Sequence, residues 1–161
     1  MSTLYVDTIN QKTSGNGVQI PGHVVQTVLY TTGQGSPAFT NSTTASLTSG
    51  QTLIIGSGTI TPTSSSSKIL VCGHNVVHQT SATGYVYLRI MRGTTVIQTP
   101  GNAVGYQHAS GTRISVPYFV LDSPATTSAV TYSHRVDYLG GTVNQDWNYG
   151  SVSLTLMEIA Q

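Results

Sequence analysis

The sequence predicts an all-β fold: a single antiparallel β-sandwich of jelly-roll type, preceded by an extended arm. Three observations carry that reading. No segment of about ten residues sustains a helical period, whereas β-branched and apolar runs recur every ten to fifteen residues or so. Glycine, proline, serine and asparagine punctuate those runs at the spacing of turns. The polar surface is built from hydroxyls, with 19 serines and 25 threonines against only 7% charged residues, while 38% hydrophobic content is enough for a core. At 161 residues the chain supplies one domain. About eight main strands make a jelly roll the expected topology.

Residues 1–22 read as the arm. They alternate weakly through Leu4, Val6 and Ile9, break at Gly15-Asn16-Gly17 and stop at Pro21-Gly22. Such a segment is too short and polar to own a core. Twenty extended residues reach about 65 Å, and strand addition to another protein would offset the entropy of ordering them. Leu4, Tyr5, Val6, Ile9 and Ile20 are the candidate docking residues; a disordered tail is the alternative.

The head is residues 23–161. His23 to Tyr30 is a first strand, and 31–37 a loop. Residues 38–52 suggest edge strands or irregular structure. Segments 52–56 and 58–61 flank a Gly56-Ser57-Gly58 break, and Pro62 to Ser67 turns the chain. Lys68 to His78 is the longest strand candidate, and both its faces are apolar: Leu70, Cys72 and Val76 on one, Ile69, Val71 and Val77 on the other. A two-layer sandwich buries one face of each sheet, so a second apolar face needs its own cover. That cover is another subunit, or residues 38–60 folded back.

Gly84 to Arg92 alternates, with Val86, Leu88 and Ile90 opposite Tyr85, Tyr87, Arg89 and Met91, and a tight turn at Arg92-Gly93 leads into 94–98. Residues 99–112 form a long loop. Arg113 to Leu121 is a strand whose Pro117 requires an edge or a bulge, closed by Asp122-Ser-Pro124. Val130, Tyr132, His134, Val136 and Tyr138 share one face of the next strand. Residues 140–150 form a second rich loop, and 150–159 closes the chain as a core strand.

Two stretches carry a resemblance. Ser2-Thr-Leu-Tyr-Val-Asp-Thr-Ile-Asn10 with Gly17-Val-Gln-Ile-Pro-Gly22 resembles the opening of tail-fibre and other virion structural proteins of tailed bacteriophages. Ile55-Gly-Ser-Gly-Thr-Ile-Thr-Pro62, Ser67-Lys-Ile-Leu-Val71, Leu121-Asp-Ser-Pro124 and Val152-Ser-Leu-Thr-Leu-Met-Glu-Ile159 are similar to their C-terminal β domains. The resemblance implies a homotrimer, with heads like the trimeric jelly rolls of the tumour-necrosis-factor and C1q type. It also implies arms anchored to other virion proteins, and synthesis in the host cytoplasm. The chain departs from long fibres in having no shaft. A short tail fibre that attaches to the host and a capsid decoration protein both remain open. Leu70, Val76, Tyr85 and Tyr87 are the candidate trimer-interface residues.

Catalysis has little support. Five carboxylates are present, Asp7, Asp122, Asp137, Asp146 and Glu158, and only Asp137 and Asp146 are close in sequence; a glycosidase needs two facing each other across a cleft. No nucleophile triad, nucleotide loop or zinc pattern appears. His74 and His78 lie about 13 Å apart along one strand face and cannot share an ion, whose ligands converge at about 2 Å. His23 or His108, repeated around a threefold axis, could hold one, but ordinary hydrogen-bonded histidines are expected. No cofactor or metal is expected.

Net charge is +1 with six scattered Lys and Arg, which gives no nucleic-acid footprint. No run approaches the ~18 apolar residues of a membrane span, and no secretory leader is visible. Cys72 is the single cysteine and reads as an inert buried thiol. The loops hold the better candidates for receptor contact: Tyr106 and His108 in one, Asp146, Trp147 and Tyr149 in the other. Aromatic faces beside fixed polar groups suit a surface glycan or a protein partner equally.

Overall fold

The structure is a computed structural model that describes residues 20–31, 46–48, 52–79, 85–98, 113–139, 142–145 and 153–161. The described residues form ten strands and no helix: β1 (Val24–Thr31), β2 (Ser46–Thr48), β3 (Thr52–Ile60), β4 (Lys68–Gln79), β5 (Tyr85–Arg92), β6 (Thr95–Gln98), β7 (Arg113–Asp122), β8 (Val130–Leu139), β9 (Thr142–Gln145) and β10 (Ser153–Ile159). One sheet runs β1-β10-β4-β7 and the other β3-β8-β5-β6, and every pairing is antiparallel. The short β9 pairs with the far end of β4, beyond the end of β10, and carries β2 on its other side. Leaving those two aside, the sheets take principal strands in the order first-eighth-third-sixth and second-seventh-fourth-fifth. That is the jelly-roll order.

Alternation explains which face of each strand is buried. Along β10 every second residue is buried, with Leu154, Leu156 and Glu158 inward. Ile69 and Val71 of β4 and Val116 and Tyr118 of β7 join them from the first sheet. Ile60, Leu88, Ile90, Val130 and Tyr132 meet them from the second. The face assigned to Val130, Tyr132 and His134 does turn into this core. Pro117 lies on β7, whose one strand partner among the described residues is β4, the edge placement that proline requires.

Polar contacts close both sides of the sandwich. On one side the Tyr30 hydroxyl of β1 donates to the Thr59 carbonyl of β3 and accepts from the Thr59 N–H, each at 2.8 Å. On the other, Asp122 at the end of β7 accepts from Arg92 of β5 at 3.0 Å and from the buried Tyr132 hydroxyl of β8 at 2.7 Å. The Asp122 carboxylate, expected only to close a strand, thus ties three strands together.

Pro21-Gly22 is a turn that delivers the chain into β1. The His23 N–H donates to the Ile20 carbonyl at 3.0 Å, and Gly22 adopts φ 86°, the left-handed value a type II turn demands after proline. The Gly22 N–H and the His23 carbonyl then bond Ala160 near the C-terminus. Leu4, Tyr5, Val6 and Ile9 lie outside the described residues.

Two differences from the sequence reading concern short strands. β9 falls inside 140–150, read as loop. Its four residues are held by pairing with Val77, His78 and Gln79 rather than by their own propensity. The β5–β6 turn is Gly93-Thr94, one residue later than expected, with Gly93 at φ 55°.

Candidate functional site

The outward face of the first sheet is the most unusual surface among the described residues. Cross-strand register aligns its side chains in rows. Leu121 of β7 lies opposite Leu70 of β4, which lies opposite Met157 of β10, itself opposite Thr27 of β1. The next row is Phe119, Cys72, Thr155 and Leu29, and the third runs Pro117, His74 and Ser153. Since the alternate residues of each strand fill the core, these must point away from it. Phe119 is 74% exposed, Leu121 54% and Leu29 51%. Leu70, Cys72 and Met157 are half-buried between them.

Six large hydrophobic residues are exposed among the described residues, and five of them lie on or lead into β1 and β7. Only Val96, on β6, belongs to the second sheet. Exposed apolar side chains scattered singly carry no meaning, but a contiguous patch does. At about 4.8 Å between strands and about 6.8 Å between like-facing residues, these eleven positions cover about 360 Å².

The three rows contain no carboxylate, lysine or arginine. His74 shares a hydrogen bond of 2.9 Å with the Ser153 hydroxyl. Burial pushes the Cys72 thiol above its ordinary value, so it is an apolar thiol at neutral pH. The fold thereby accounts for the doubly apolar β4: Ile69 and Val71 are core, while Leu70 and Cys72 belong to the outer face. Residues 52–60, one part of the alternative cover, run as β3 in the opposite sheet beside β8 and do not lie over this face.

The candidate interface residues do not gather on one sheet. Leu70 and Val76 are on β4, and Tyr85 and Tyr87 are on β5 of the other sheet. The sequence reading missed Phe119, Leu121 and Leu29. The signal for the first two was present, because from Val116 to Leu121 both faces of β7 are apolar, as on β4. Ile20, from the proposed docking arm, is exposed beside β1. Tyr106, His108, Asp146, Trp147 and Tyr149 lie outside the described residues.

The buried titratable groups serve packing. His134 is fully buried, and its ring meets Tyr118 edge-on with centroids 5.2 Å apart. Burial, then the proximity of His74, pushes its pKa down to about 3, so it is neutral. Glu158 is buried and accepts from the Gln26 amide at 2.6 Å and from the Thr63 N–H and hydroxyl at 2.8 Å each. Among the described residues no three His, Cys, Asp or Glu side chains are grouped to hold a metal.

Comparison with solved structures turns up similar sandwiches in viral particles. VP2 of infectious bursal disease virus, in a subviral particle, is 14% identical, with TM-score 0.52 over 85% of this chain and 34% of VP2. The protein of T=1 particles derived from infectious bursal virus is likewise 14% identical, with TM-score 0.50 over 85% of this chain and 32% of its own. The sandwich fold is shared. The chain spans about a third of the length of these solved chains, and identity this low extends the likeness to the fold alone. No protein-family model matches the chain, and no curated protein sequence does.

Proposed function

We propose that the chain is a structural protein of a virion, acting by placement and contact rather than by catalysis. In this reading residues 1–22 anchor it to other virion proteins, and three copies of the β head associate. The assembled head is a short tail fibre that meets the host surface through the loops carrying Tyr106, His108, Asp146, Trp147 and Tyr149. The observation that carries the reading is the jelly roll with one sheet face in the core and the other apolar and exposed. That surface is suited to assembly, and the arm resembles those of phage virion proteins. The sandwich's likeness to VP2, solved as a particle, favours a second reading, a capsid decoration protein whose arm grips the shell.

Copy number separates the two. Quantifying the chain against the major capsid protein in purified virions is expected to give a few to tens of copies for a fibre, and hundreds for a decoration protein; absence from purified virions would end both readings. Replacing Trp147 with alanine is expected to reduce adsorption of virions to host cells while leaving the number of incorporated copies unchanged. Unchanged adsorption would remove host contact from the proposal.

A further inference from the structure

The outward face of the second sheet carries two arginines side by side. Arg89 of β5 and Arg135 of β8 are cross-strand partners in the antiparallel register. Their chain neighbours Leu88, Ile90 and His134 are buried, so alternation turns both arginines away from the core. Residues directly opposite each other in such a pair have Cβ atoms about 5 Å apart, and like charges there repel. The setting sharpens the repulsion. Met91 and Ser133, the adjoining pair on the same face, are only 6% and 8% exposed. Both arginines are half-buried, and the Nε of each is closed to water. Charges shielded from solvent in this way interact more strongly than charges in bulk water.

The well-described carboxylates are engaged elsewhere: Asp122 by Arg92 and Tyr132, Glu158 by Gln26 and Thr63. On the β3 side Arg135 stands opposite Ile54. One carboxylate is near in the register, Asp137, two residues along β8 and opposite Tyr87. Two guanidinium groups against one carboxylate leave a positive charge over. The Arg135 Nε meets no hydrogen-bond acceptor among the described residues.

We infer that Arg89 and Arg135 form a binding site for an oxyanion, a phosphate or carboxylate group held between the two guanidinium groups. A guanidinium presents its donors in a planar fork that matches either group. An anion between the pair turns a repulsion into two charge-assisted contacts. Part of each side chain remains in water, so an ion can reach it. The site lies on the opposite sheet from the exposed apolar face, and it does not depend on how the chain assembles.

The test follows the melting temperature of the full-length chain at constant ionic strength, with sodium phosphate or sodium acetate replacing part of the chloride. A ligand that binds only the folded chain raises that temperature by mass action. Phosphate at ten times its dissociation constant is expected to raise it by about 3–6 °C. Arg89→Gln and Arg135→Gln are each expected to lose the shift. Lys68→Gln, which removes the same charge from the first sheet, is expected to keep it. Acetate acting as strongly as phosphate would assign the site to oxyanions in general, and phosphate acting alone would assign it to phosphoryl groups.

A native chain that responds to neither anion would overturn the inference. So would an equal shift in Arg135→Gln, which would trace the effect to exclusion of phosphate from the whole surface. In chloride alone Arg135→Gln is expected to melt no lower than the native chain, because the change relieves the repulsion. A lower value would remove the strain on which the site rests. Should the variants fail to fold, the native chain still decides. The phosphorus resonance of inorganic phosphate is expected to broaden when the protein is added, and an unchanged line would count against the site.

Discussion

Replacing Glu158 with alanine is expected to cost the fold about 3 kcal/mol, because it leaves three donors, one from the half-buried Gln26 and two from Thr63, without their charged acceptor. The carboxylate sits inward on β10, where alternation would place an apolar side chain. It is tolerated because three donors meet it: the Gln26 amide from β1, and the N–H and hydroxyl of Thr63 from the segment between β3 and β4. It thereby holds the crossing from one sheet to the other against the C-terminal strand. Glutamine at this position should cost less, about 1–2 kcal/mol. One oxygen can still accept from Thr63, but the new amide faces the Gln26 amide, which cannot rotate without losing its bond to the Thr61 carbonyl at 2.7 Å. Urea unfolding of both variants measures the difference, and equal losses would show that charge rather than acceptor count matters.

The same carboxylate shapes the response to acid. Burial alone would raise its pKa, but the hydrogen bonds from Gln26 and Thr63, helped by the nearby Ser67 hydroxyl, outweigh burial and hold it below its ordinary 4.5. A depressed carboxylate contributes stability that is present above the unfolded-state pKa and lost as pH falls through the folded one. His134 adds to this in a higher window. Its folded pKa of about 3 lies below the ordinary 6.5, so between those values the unfolded chain takes up a proton that the folded chain refuses, and stability falls with pH. Urea midpoints are therefore expected to decline below about pH 6.5, with Glu158→Gln flattening only the most acidic part.

Gly73→Ala is expected to be as damaging, about 3 kcal/mol or more. A Cβ at Gly73 would overlap the backbone carbonyl of Ser153 on the neighbouring β10 and the Tyr118 hydroxyl of β7, which donates to that same carbonyl at 2.9 Å. Neither neighbour can give way cheaply. Moving the carbonyl opens the β4–β10 ladder at the Leu154–Gly73 register, and moving Tyr118 disturbs its contact with His134. Gly58 makes the informative comparison. There a Cβ meets the Tyr30 ring, a side chain at the sandwich edge, so Gly58→Ala should cost only about 1–2 kcal/mol as the ring shifts and its bonds to Thr59 pass to water. Equal effects would mean that the tightness at Gly73 relaxes as readily as a side chain does.

Much of this architecture was legible along the chain. Alternation sorted the two faces of β5 and β8, and the closing segment was expected as a core strand. Pro117 announced an edge strand, Pro21-Gly22 a turn, and the doubly apolar β4 a second apolar face outside the core. Each of these signals is local: side-chain period, a missing N–H or a left-handed glycine acts within a few residues. The candidate contact surface was legible only in part. Leu70 is on it, but Phe119 and Leu29, which stand out most, were not singled out, and Tyr85 and Tyr87 belong to the other sheet.

The sequence by itself therefore determined that the chain makes a β-sandwich, how the side chains of several strands sort into two faces, and that one strand has apolar residues to spare. Only the tertiary structure decided which strands lie side by side, and with them the meaning of single residues. Glu158 finds its partners 95 and 132 residues away, and Gly73 is crowded by a strand that begins at Ser153. The exposed apolar side chains of β1 and β7 share one face only because those strands end up on opposite edges of one sheet. Non-local pairing is set by burial summed over the whole domain, and no stretch of a few residues records it.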